Sequence, residues 1–135
     1  VIVHMYTWQI GSDGSTYDTW TQNESILSPD ADAGQRFGHK VKVNDNGDIL
    51  AISSKSPGTA GKVEIFIRSG HSNDDSTTNS FVHAQTLTGA AADGSTFNNE
   101  FGLDIAMNND GTKLFVSFSL ASRPISPVKM PINSF

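Results

Sequence analysis

The chain has no cysteine, which excludes disulfide frameworks, thiolate-ligated zinc and thiol catalysis in any compartment. Basic charge is also scarce. Nine Lys and Arg in 135 residues, no basic cluster and a net charge of −5 argue against a nucleic-acid partner. No apolar run approaches the ~18–20 residues of a membrane-spanning helix, so membrane insertion is not expected. Val1 to Ile10 carries His4 and no basic stretch, so it does not read as a signal peptide. It has no initiator Met, and the expectation is a processed product or a fragment. Helix formers are few, with 3 Glu against 11 Asp. What is abundant is Gly, Ser, Thr and Asn, together 50 residues, a composition for turns and strands. The length suits a single domain or part of one. Asn23-Glu24-Ser25 is a glycosylation sequon, a pattern too common to carry weight alone.

The sequence repeats itself. FGHKVKVNDNGDILAIS, from Phe37 to Ser53, aligns without a gap to FGLDIAMNNDGTKLFVS, from Phe101 to Ser117, 64 residues later. Six of 17 positions are identical, among them the Phe-Gly pair, an Asn and a turn Gly. A fainter repeat sets Val3-His4-Met5-Tyr6 60 residues before Val63-Glu64-Ile65-Phe66. Trp20-Thr21-Gln22 likewise precedes Phe81-Val82-His83 by 61.

Each unit reads as four short strands. The first, Phe37 to Asn44, alternates Phe37, His39, Val41 and Val43 on one face with Lys40 and Lys42 on the other. Asn44-Asp45-Asn46-Gly47 is a hairpin turn closed by a left-handed Gly. Ile49 to Ser54, Lys62 to Arg68 and Phe81 to Thr88 follow as strands, with turns between them. Met5 to Ile10 and Trp20 to Leu27 are earlier copies of the third and fourth strands. Phe101 to Asn108 and Leu114 to Ser119 are later copies of the first and second. The expected fold is therefore all-β, built of four-stranded antiparallel β-propeller blades. It amounts to two blade equivalents, as part of a larger or oligomeric propeller. A half-blade spans about residues 1–28, a full blade about 37–88 and a second half-blade about 101–120. These form a segment over 1–121, and a Pro-rich extended arm occupies 122–135.

Phe-Gly at the head of the first strand, then VKVNDNGDILAIS and GKVEIFIRSG, resembles the FG-GAP repeats of integrin α-chain propellers and related surface proteins. The resemblance covers about residues 1–120. It implies a propeller with Phe37, Gly38, Gly47, Phe101, Gly102 and Gly111 as structural positions. It also implies an extracellular recognition or adhesion role rather than an enzyme. Some members bind calcium in the first hairpin turn. Here Lys42 and Leu50 stand at the first and ninth ligand positions, and Ala106 and Leu114 in the second copy. A cation needing six to eight oxygens meets half a cage, so no metal and no cofactor are expected.

No Ser-His-Asp pattern or nucleophile elbow is present. His4, His39, His71 and His83 are not spaced as metal ligands. His39 is expected on an apolar strand face. Asp30 and Asp32 read as solvated turn residues, and Asp74-Asp75 as solvated loop. Tyr6 and Trp20 match Phe66 and Phe81 and are expected in the core. Trp8 and Tyr17 are left as candidates for a ligand-contact surface. The reading is a non-enzymatic structural or recognition module on an extracellular, cell-surface or virion surface, with other protein chains, its own copies or neighbouring subunits, as partners. The alternatives are a carbohydrate-binding lectin or adhesion module, with a glycan as partner, and a fragment of a larger propeller.

Overall fold

The computed structural model describes residues 2–9, 19–30, 36–55, 60–68, 80–89 and 100–119. These form eight strands and no helix: β1 (Ile2–Gln9), β2 (Thr19–Leu27), β3 (Arg36–Val43), β4 (Ile49–Lys55), β5 (Lys62–Ile67), β6 (Val82–Thr88), β7 (Ile105–Met107) and β8 (Leu114–Val116). All pairing is antiparallel. A central sheet runs β3-β4-β5-β6, flanked in sequence by the pairs β1-β2 and β7-β8.

The central sheet is buried on both faces. Pairs such as Leu50↔Phe66 and Ile52↔Glu64 put Phe37, Leu50, Ile52 and Phe66 on one face, here called the leading face. With Ile26, and with Val3 and Phe81 beside them, they form one core cluster. Ala51, Val63, Ile65 and Leu87 lie on the opposite, trailing face. They pack with Phe101, Ile105, Met107, Leu114 and Val116 in a second cluster. So β1-β2 covers the leading face and β7-β8 the trailing face. β4 is buried from Leu50 to Ser54, with the small Ala51 and Ser53 at the middle of its trailing face.

The repeat is structural as well as sequential. β1 and β2 skip Asn23 at a bulge between Met5 and Tyr6, and β5 and β6 skip Ala84 at the matching place. The Lys40 amide donates to Ser53 Oγ at 3.0 Å, and the Asp104 amide to Ser117 Oγ at 2.9 Å. Gly47 and Gly111 close their turns at φ 70° and 74°, each donating to the Asn three residues earlier. The two joints between layers also match. A Cβ added at Gly38 would meet Val3 Cγ2 at 3.0 Å, and one at Gly102 would meet Val63 Cγ2 at 3.2 Å. Val3 and Val63 are repeat equivalents, as are Gly38 and Gly102. The trailing face of one unit therefore packs on the leading face of the next, twice, in the same way.

Several expectations are corrected. A bulge between Phe37 and Lys40 interrupts the alternation of β3, and His39 within it is exposed rather than on an apolar face. Val41 and Val43 keep the side of Phe37 but are exposed. The late copies are shorter than Phe101 to Asn108 and Leu114 to Ser119. Phe101 to Asp104 is turn, β7 has three residues and β8 ends at Val116. Phe101 is half-buried, whereas Phe37 is buried. β1 begins at Ile2, ahead of Met5. Asp30 pairs with Lys62 Nζ instead of pointing only into solvent. Asp32, His71, Asp74, Asp75 and the arm from 122 lie outside the described residues.

Candidate functional site

Among the described residues, the face of β1-β2 turned away from the central sheet holds the largest group of exposed apolar side chains. Alternation puts Val3 and Met5 inward and Ile2, His4, Tyr6 and Trp8 outward, with Trp20, Gln22, Ser25 and Leu27 beside them on β2. Trp8 and Trp20 are directly opposite in register, with ring centroids 5.3 Å apart and planes at 63°. Tyr6 is 51% exposed, Trp8 44% and Trp20 63%. Tyr6 and Trp20 are thus on the surface, against expectation. Their repeat position matches Phe66 and Phe81, but among the described residues no further sheet covers them. Trp8 lies on the same face, and Tyr17 lies outside the described residues.

A polar cluster sits among the aromatics. Gln22 Nε2 donates to His4 Nδ1 and to Ser25 Oγ, each at 3.0 Å, and Ser25 Oγ lies 3.0 Å from the same ring nitrogen. The equivalent positions in the central sheet are Glu64, His83 and Thr86. There the buried Glu64 carboxylate accepts from His83 Nε2 at 2.7 Å and Thr86 Oγ1 at 2.6 Å. The Trp8–Trp20 contact has a counterpart too, since Arg68 lies over the Phe81 ring at 5.0 Å. The same site in two successive units is therefore covered once and open once.

Compared with protein-family models, curated proteins and solved structures, the chain matches none.

The hairpin turns spend their oxygens internally. Asn44 Oδ1 accepts the amides of Asp48 and Ile49, both at 3.0 Å, and its amide donates to Asp48. Asn108 Oδ1 accepts the Lys113 amide at 2.7 Å. The Thr112 hydroxyl, and after it the Thr112 amide, donate to Asp110 and hold its carboxyl below the ordinary value. Among the described residues no three His, Asp or Glu side chains gather where they could hold a metal ion. Among the described residues no helix is long and apolar enough to cross a membrane. The β1-β2 face combines wide aromatic area with a small polar centre, and β1 has one strand partner among the described residues.

Proposed function

We propose that this chain is a non-enzymatic structural and recognition module, a segment of an FG-GAP-like β-propeller presented on an extracellular or particle surface, whose open β1-β2 face takes a protein partner. The observation that carries the reading is the uncovered leading face at Tyr6, Trp8 and Trp20, at positions whose equivalents in the next unit are packed. A contiguous exposed apolar patch of this kind supports an interaction surface. The paired Trp rings favour protein over sugar, because their edge-to-face contact occupies one of the flat ring faces on which a sugar stacks.

Hydroxyl-radical footprinting tests this directly. Tyr6, Trp8 and Trp20 are expected to be oxidised freely in the isolated chain at nanomolar concentration and to be protected in the protein's native setting. Equal oxidation in both overturns the reading. A glycan-array signal that disappears in Trp8→Ser instead supports the lectin alternative.

A further inference from the structure

The geometry points to a second copy of this chain as the occupant of that face, an inference that rests on the blade reading and names its partner. The internal joint shows what covers a leading face: the trailing face of the preceding unit. The chain displays the matching uncovered trailing surface. Ile67 and Val82, paired across β5 and β6, are 46% and 66% exposed on the half of the central sheet that β7-β8 leaves bare. Phe115 on the trailing side of β8 is also exposed, as are Val41 and Val43 on the leading side of β3.

These surfaces fit one another by the offsets of the repeat. β8 and β1 each have a single strand partner among the described residues, so each offers an edge. Placing β1-β2 of a second copy beside β8 of the first, in the register of β4 and β5, completes a four-stranded sheet. The pairs Leu50↔Phe66, Ala51↔Ile65 and Ile52↔Glu64 translate to Leu114↔Tyr6, Phe115↔Met5 and Val116↔His4. The open aromatic face then lies on Ile67 and Val82 of the first copy. Phe115 of the first copy lies toward Val41 and Val43 of the second. The polar link of the existing joint, the Phe81 amide donating to Glu24 Oε1 at 2.8 Å, has its translated counterpart in the Trp20 amide and Gln85. Each uncovered apolar group in this scheme meets the kind of surface that the internal joint already uses. The contact joins two different patches, so it is head-to-tail and closes only as a ring.

Two variants distinguish this from every other occupant. Trp8→Glu/Trp20→Glu blocks one patch and Ile67→Glu/Val82→Glu the other. All four side chains are exposed, and circular dichroism checks that each variant keeps its β signal. In sedimentation velocity the wild type is expected to form a discrete multiple of 14.5 kDa, and each variant alone to stay a monomer. Mixed one to one, the variants retain one intact joint between them and are expected to give a dimer that grows no further. A wild-type monomer at about 100 µM overturns the proposal, as does self-association of Ile67→Glu/Val82→Glu, which signals a face-to-face contact of the Trp patches. Register is read separately. The chain has no cysteine, so Phe115→Cys mixed with Met5→Cys should give a mixed disulfide, because directly opposed residues meet the Cα spacing that bond requires. Phe115→Cys with Trp8→Cys should not, and linkage of that second pair overturns the register. Protection of the Trp residues in the native setting together with a monomeric pure chain would leave the recognition reading standing and remove the second copy.

Discussion

At the scale of single residues, the close approaches between layers make the sharpest demands. A Cβ at Gly61 would fall 1.8 Å from the Phe101 carbonyl oxygen, a backbone atom that cannot swing aside. At Gly47, φ is 70° and the nearest obstacle is the end of the Arg68 side chain at 3.2 Å. Gly61→Ala is therefore expected to cost about 3 kcal/mol in denaturant unfolding, as overpacking against fixed neighbours does. Gly47→Ala is expected to cost about 1 kcal/mol, the left-handed backbone penalty alone. Asp110 gives a pH-dependent counterpart. Its folded pKa is lowered from 3.8 by the two Thr112 donors. The stabilisation is therefore present above the unfolded value and lost as pH falls through the lower folded one. Thr112→Val should move the Asp110 titration, followed by carboxyl NMR, back up toward 3.8. The turn glycines were legible in the sequence because Asx residues leading into Gly have one common backbone solution. Gly61 was not, since nothing local announces that a distant carbonyl will sit against it.

At the scale of elements, the hairpin turn is held by one side chain. Asn44 is buried and satisfies two backbone amides, Asp48 and Ile49. Asn44→Ala strands both donors in a buried place and should cost ~2–3 kcal/mol by thermal or denaturant unfolding. Asn108→Ala, at a half-exposed site where water replaces the lost acceptor, should cost about 1 kcal/mol or less. The central strands and their order were readable because period-two alternation and the 64-residue repeat agree. The bulge at Gly38-His39 was hidden. Its exposed His alternates correctly with Phe37 and Val41 in sequence, and only the pairing Lys40↔Ser53 reveals the extra residues. The brevity of β7 and β8 was hidden for another reason. A copied sequence implies copied strands, but ladder length also depends on a neighbour on the far edge. β4 has β5 at that edge, while β8 has none among the described residues.

At the scale of the whole molecule, covering decides what a repeated position becomes. Phe66 is core and Tyr6 is surface because, among the described residues, one has a sheet in front of it and the other does not. Both are aromatic, and only the Tyr6 hydroxyl, which donates to Gln22 Oε1, sets them apart, so the candidate site was only partly visible in the sequence. Trp8 stood out because its counterpart is Arg68, while Tyr6 and Trp20 were concealed by their aromatic counterparts. The matched contacts of Val3 with Gly38 and Val63 with Gly102 carry a further consequence. An interface made the same way each time has no built-in count. A gene duplication that inserts a second copy of residues 37–100, in phase, would find both of its boundaries already compatible. Such a lengthened chain is expected to fold, with a steeper urea dependence in proportion to the surface that its extra sheet buries. A one-residue slip within a strand ladder would turn that strand's side chains to the other face. The unequal spacings of 60, 61 and 64 residues between copies show that smaller changes in length are taken up between strands.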